Sequence, residues 1–136
     1  MDKKILVIED DPASSKLMQY ALTQHGYEVV IASNGSDGLR KARTEGPALV
    51  ILNVMLPGMD GFEVCHRLRI EGDGLPIVML SDKAREADRA TGFKLGANEY
   101  LIKPVSPSTV ISVVDDLMVP SSVRVQSARM ERHVGY

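Results

Sequence analysis

Ala48-Leu49-Val50-Ile51-Leu52 is the most continuous apolar stretch in the chain, and it stops abruptly at Asn53. An aliphatic run without polar alternation describes a strand covered on both faces, as in the middle of a parallel sheet. A second run, Ile5-Leu6-Val7-Ile8, is followed at once by Glu9-Asp10-Asp11-Pro12, where strand pattern gives way to a helix start. Asp11 can cap the free backbone N–H groups and Pro12 suits the first helical position. Ala13, Leu17, Met18, Ala21 and Leu22 then recur at helical spacing until Gly26. Residues 28–32 read as another strand and Asn34-Gly35 as a turn, while Leu39 and Ala42 mark the inner face of a helix ending near Gly46-Pro47. Gly38 inside that helix costs roughly 1 kcal/mol against Ala, so this segment carries the weakest helix signal.

Beyond Asn53 the same alternation continues. Leu56-Pro57-Gly58-Met59-Asp60-Gly61 is a loop, and Phe62, Cys65 and Leu68 outline a helix running to about Glu71. Residues 76–80 form a strand, 85–95 a helix, and 99–102 a last strand closed by Lys103-Pro104. Ser106 caps a final helix over 107–118. Five βα units with short connections predict an α/β fold, an open, doubly wound parallel five-stranded sheet with helices on both faces. Five units are too few for an eight-fold barrel.

The chain has 136 residues, the size of one domain, with 44% apolar and 25% charged residues, an ordinary globular balance. A formal charge of −2 excludes the broad positive field that holds nucleic acid. Cys65 is the only cysteine and has no internal partner for a disulfide. Met1-Asp2-Lys3-Lys4 leads into too few apolar residues for a signal peptide or membrane span, so a cytoplasmic location is expected. Residues 119–136 are polar, and Arg124, Arg129 and Arg132 against Glu131 give them a charge of +2, leaving −4 for residues 1–118. The expectation is one domain over 1–118 and a solvated, flexible tail over 119–136.

In open α/β sheets ligands bind outside the carboxyl ends of the strands, near the point where strand order reverses. Here Glu9 and Asp10 follow the first strand, Asn53 the third, Ser81 the fourth and Lys103 the fifth. One polar residue there is unremarkable; two acids, an amide, a hydroxyl and an ammonium around one rim suit a divalent cation and a phosphoryl group. The bland alternatives are helix N-terminal acids for Glu9 and Asp10, a surface lysine for Lys103, a capping residue for Ser81 and a half-buried strand aromatic for Tyr100. Cys65 and His66 read as helix packing and solvated surface, because no partner lies at metal-ligand spacing, and His25 as a cation at a helix end.

Together, Lys4 to Asp11, Val50 to Gly61, Ser81 and Gly96-Ala97-Asn98-Glu99-Tyr100-Leu101-Ile102-Lys103-Pro104 resemble the receiver domain of two-component response regulators, a flavodoxin-like fold, over residues 3–118. The resemblance implies that Glu9, Asp10 and the backbone carbonyl of Met55 hold Mg²⁺, that Ser81 and Lys103 contact the phosphoryl group, and that Ser81 and Tyr100 form the switch. It further implies a cis Lys103-Pro104 bond, and side chains at Met55 and Lys83 that tune water access. The partners it implies are a sensor histidine kinase or phosphotransfer protein, with output through the fourth helix, fifth strand and fifth helix.

Asn53 departs from the pattern, standing where the family has the phosphorylated Asp. A carboxylate oxygen can attack phosphorus; a neutral carboxamide is a poor nucleophile and removes one charge from the cation site. The amide still fits, accepting from Lys103 and donating to Glu9 or Asp10. Every other expected group is present, which favours an introduced or recent substitution in a competent domain over a natural pseudo-receiver that signals without phosphorylation. Other classes fit less well. No G-x-G-x-x-G follows the first strand, against a flavin or nucleotide carrier, and Glu9-Asp10-Asp11-Pro12 lacks the spaced second Asp of a phosphatase that would use Asp10 as nucleophile. The expectation is a switch and not an enzyme. The chain ends soon after the last helix, so output is expected to pass by contact with a separate protein. The last helix has Asp115 and Asp116 but no Lys or Arg, against Arg85, Arg89 and Lys94 on the fourth, so a monomer or weak dimer is expected. Val110, Ile111, Val113 and Val114 are too many for one narrow stripe, and some are expected to be exposed.

Overall fold

The computed structural model describes residues 3–72 and 74–119. The polar tail expected from residue 119 therefore lies, from residue 120 onward, outside the described residues. The elements alternate as β1 (Lys4–Ile8), α1 (Pro12–Gln24), β2 (Glu28–Ala32), α2 (Gly35–Thr44), β3 (Leu49–Asn53), α3 (Gly61–Ile70), β4 (Ile77–Ser81), α4 (Glu86–Leu95), β5 (Glu99–Ile102) and α5 (Pro107–Met118). All strands are parallel, in the order β2-β1-β3-β4-β5. This is the doubly wound, flavodoxin-like sheet expected, and its order reverses between β1 and β3.

Alternation along each strand decides which layer a residue joins. Ile5, Val7, Leu49, Ile51, Val78 and Leu80 face α1 and α5, where Leu22, Val110 and Val114 meet them. Leu6, Ile8, Val50, Leu52, Ile77 and Met79 face the other layer, against Leu39 and Ala42 of α2 and Val64, Cys65 and Leu68 of α3. Ile5, Leu6, Ile8, Leu49 and Leu52 are 0% exposed, and each such side chain contributes about 1.5–3 kcal/mol of transfer free energy. This two-sided burial is why β1 and β3 read as unbroken apolar runs.

The starts of α1, α2, α3 and α5 follow from side-chain caps. Asp11 accepts from the Ser14 N–H at 3.1 Å, Asp60 from Glu63 at 3.0 Å and Ser106 from Thr109 at 3.2 Å. Asn34-Gly35 is not a free turn. The Asn34 side chain accepts from the Asp37 N–H at 2.8 Å, so Asn34 caps α2 and Gly35 is its first residue. The same local hydrogen bonding makes Asn favourable in turns and at N-caps, which is why the dipeptide misled. Gly38 costs propensity but gains contact: a Cβ there would stand 2.5 Å from Ile8 Cδ1 and 2.9 Å from its Cγ1, so the glycine lets α2 lie against Ile8 of β1 without displacing that side chain.

The aliphatic residues of α5 pack more fully than expected. Val110 and Val114 are 0% exposed, and Ile111 and Val113 are half-buried against the same cluster. None of the four is fully exposed, because the α5 stripe meets both the sheet and the flank of α1.

Candidate functional site

Backbone pairing brings the strand ends to one rim. The Glu9 N–H donates to the Ala32 carbonyl at 2.9 Å, Val54 to Leu80 at 3.0 Å, and Lys103 to Ser81 at 2.8 Å. These bonds carry the ladders just past the end of the core, so Glu9, Asn53, Ser81 and Lys103 leave the sheet together at the β1/β3 crevice. The Lys103-Pro104 peptide is cis.

Asn53 is the hub. It is 4% exposed, and its Oδ1 accepts from the Lys103 ammonium at 2.9 Å. Its Nδ2 donates towards Met55 O at 2.9 Å, Glu9 Oε2 at 3.1 Å and Asp10 Oδ1 at 3.3 Å. The amide orientation follows from chemistry, because an ammonium requires an acceptor and three oxygens require a donor. Two N–H groups serve three oxygens, so one hydrogen is shared. The sequence indicated donation to Glu9 or Asp10; the structure adds the Met55 carbonyl.

Glu9 is nearly buried, at 7% exposure. Burial pushes its carboxyl above the ordinary carboxylate range, partly offset by the Asp11 N–H and by Lys103, whose Nζ lies 3.6 Å from Oε1. Asp10 is exposed and closes the outer side. Three oxygens, two of them carboxylate, thus converge on one atom. That all-oxygen donor set fits a hard divalent cation, and the amide nitrogen stands where they converge. Among the described residues there is no group of three or more His, Cys, Asp or Glu able to hold a metal. The set here is two carboxylates and a carbonyl.

Ser81 is 0% exposed and does not cap α4, whose N-cap is Arg85; its Oγ instead accepts from the Lys83 N–H at 2.9 Å. Tyr100 is not half-buried but 1% exposed, and its hydroxyl donates to the Lys83 carbonyl at 2.9 Å. The Lys83 backbone thus joins Ser81 to Tyr100, a link that spacing in sequence does not signal. The Lys83 ammonium lies 5.6 Å from the Phe62 ring centroid, and Met55 is 52% exposed. A cavity of about 360 Å³ opens beside Glu9, Asn53 and Lys103, floored by Ile51 and Leu80 and walled by Leu17 and Met18 of α1.

Residues set aside in the sequence stay away from the rim. Cys65 is buried, its thiol pushed up by burial and pointing at the Leu95 carbonyl, and His66 is exposed. His25 does more than end a helix: its Nε2 meets Asp115 of α5 at 2.9 Å, and the Tyr27 hydroxyl donates to the same carboxylate at 2.5 Å.

The profile of the response regulator receiver domain matches residues 5–115. The alkaline phosphatase synthesis transcriptional regulatory protein PhoP of Bacillus subtilis is 44% identical over 131 residues, which is 96% of this chain and 55% of that protein. Among solved structures, the Francisella response regulator 1452 receiver domain is 26% identical with a TM-score of 0.82, covering 85% of this chain and 96% of that one. The Vibrio cholerae chemotaxis protein CheY4 is 28% identical with a TM-score of 0.82, covering 87% and 100%. The chain belongs to the response regulator receiver domain family of two-component systems. Receiver domains are signalling switches that typically bind Mg²⁺ and interact with histidine kinases or phosphotransfer proteins. The chain spans about half the length of the curated relatives it matches. Among the described residues no helix is long and apolar enough to cross a membrane.

Proposed function

We propose that this chain is a cytoplasmic, Mg²⁺-dependent phosphorylation switch held unphosphorylatable by Asn53, in which Asn53 occupies the phospho-acceptor position. The observation that carries the reading is the amide itself: one face is held by Lys103 and the other by Glu9, Asp10 and the Met55 carbonyl. An aspartate there would direct one oxygen at the ammonium and leave the other facing three oxygens, an arrangement that requires a cation.

When bound, Mg²⁺ would supply positive charge to the phosphoryl oxygens, held by Glu9, Asp10 and the Met55 carbonyl. The chain's own groups do the rest. Lys103 orients and neutralises, and Ser81 offers a hydroxyl after leaving the Lys83 N–H. With Asn53 no attack on phosphorus follows, because the amide lone pair is delocalised and its oxygen is a weak nucleophile. Incubated with acetyl phosphate and Mg²⁺, the chain is expected to keep its mass unchanged; a phosphoryl adduct at residue 53 would overturn the reading. Retention of the whole constellation favours a substitution in a competent domain over a pseudo-receiver.

Output is assigned to the α4-β5-α5 face and a protein partner. A symmetric dimer joined through that face by a basic residue on α5 lacks that residue here. Residues 107–118 hold no Lys or Arg, Asp115 is engaged by Tyr27 and His25, and Arg85 pairs with Asp88 within α4. Sedimentation at micromolar concentration is expected to show a monomer or weak dimer. A stable dimer joined through α4 and α5 would refute the charge argument.

A further inference from the structure

The ring of Tyr100 reaches its inward place only because α4 carries no side chain above it. A Cβ on Gly92 would stand 2.7 Å from Tyr100 Cδ2 and 3.2 Å from Cε2, with Met79 Sδ at 3.1 Å. Contacts under 3 Å force something to move. The thioether can yield, being the soft part of a flexible side chain. The ring cannot retreat inward, since it is 1% exposed and already packed within the cluster of Leu52, Met79 and Ala97. Its remaining route is outward, and that breaks the bond from its hydroxyl to the Lys83 carbonyl.

Lys83 is the residue whose N–H holds the Ser81 hydroxyl at 2.9 Å. Its backbone is therefore grasped from both ends, by Ser81 through the amide and by Tyr100 through the carbonyl. Arg89, one turn before Gly92 on α4, reaches the Tyr100 carbonyl at 3.4 Å and lies 5.9 Å from the Phe93 ring, so the α4 side closes over the tyrosine.

We propose that Gly92 is a positioning residue for the switch: the missing side chain admits the Tyr100 ring, and the ring fixes the Lys83 backbone that holds Ser81. The consequence for signalling rests on the function proposed above, whereas the placement of the ring does not. The experiment therefore uses no phosphate. Gly92→Ala is compared with Val114→Ala, a core truncation on the opposite layer, by NMR of the full chain with dye-sensitised polarisation of exposed tyrosines. In Gly92→Ala the Tyr100 ring is expected to become accessible to the dye and the Lys83 amide resonance to move; Val114→Ala is expected to do neither while still lowering stability. A folded Gly92→Ala protein with Tyr100 protected and the Lys83 resonance unmoved overturns the proposal. Should Gly92→Ala not fold, Tyr100→Ala and Gly92→Ala/Tyr100→Ala decide it. A melting temperature of the double variant equal to or above that of Tyr100→Ala supports the proposal, because the methyl then has no ring to displace and alanine favours the helix, and a lower one overturns it. Failure of acetyl phosphate to label an aspartate at 53 would sink the functional reading and leave this result untouched.

Discussion

With Asn53 no uptake of phosphate is expected, whereas Asn53→Asp is expected to gain a single phosphoryl group from acetyl phosphate, and only with Mg²⁺ present. The carboxylate oxygen forms the new bond to phosphorus as the bond to acetate breaks, and acetate departs with the electron pair. Lys103 already lies 2.9 Å from the Oδ1 position, so its charge is in place before the reaction. Mg²⁺ dependence follows from the other side. The amide nitrogen now satisfies Glu9, Asp10 and the Met55 carbonyl, and an oxygen there would face all three without a hydrogen between them. Intact mass with and without Mg²⁺ reads the outcome. If the Asp variant gains nothing, residue 53 is not what blocks the site, and a pseudo-receiver becomes the better reading.

Gly61→Ala is expected to be the most damaging single methyl near the site. An added Cβ would stand 2.6 Å from both the Asn53 carbonyl oxygen and Val54 Cα. Both are backbone atoms, at the end of a strand buried on both faces, so neither can swing aside as a side chain would. The Gly61 N–H is bonded to the Val54 carbonyl at 2.8 Å, which ties α3 to this spot. Overpacking typically costs about 1–3 kcal/mol, and contact with backbone places this variant at the upper end, a fall in melting temperature on the order of 10 °C. Thermal unfolding followed by circular dichroism measures it. A loss within a degree or two would mean that the β3–α3 junction shifts freely.

The sequence carried the element order because the central strands β1, β3 and β4 are buried on both faces and α1, α2, α3 and α5 each begin at a polar side-chain cap. Ile5 to Ile8 and Leu49 to Leu52 could hardly be read otherwise. The rim was legible for a related reason: a polar residue directly after a buried strand marks where the chain leaves the core, and parallel pairing brings those ends together. Close approach was not legible. Gly38 and Gly92 read as helix weaknesses or as nothing, because what they admit, Ile8 and Tyr100, lies on distant segments. Asn34-Gly35 was misplaced because one hydrogen-bonding habit serves turns and caps alike. The full burial of Tyr100 and the binding of both Ser81 and Tyr100 to the Lys83 backbone, like the meeting of His25 with Asp115, depend on tertiary contacts that no local pattern encodes.

In the function proposed above, the Asn53 amide stands where the cation would bind. A Mg²⁺ titration followed by amide and Asn53 side-chain NMR shifts, run on the chain and on Asn53→Asp with Asp10→Ala in parallel, tests it most directly. Two unit charges about 4 Å apart interact by roughly 4 kcal/mol at an effective dielectric of 20, so even after heavy solvent screening one missing charge should weaken binding about tenfold or more. Mg²⁺ is expected to bind Asn53→Asp at least that much more tightly than the chain itself, the Asn53 side-chain resonances to move as the ion enters, and Asp10→Ala to abolish the response. Equal affinity in both proteins, with the Asn53 resonances unmoved at saturation, would contradict it.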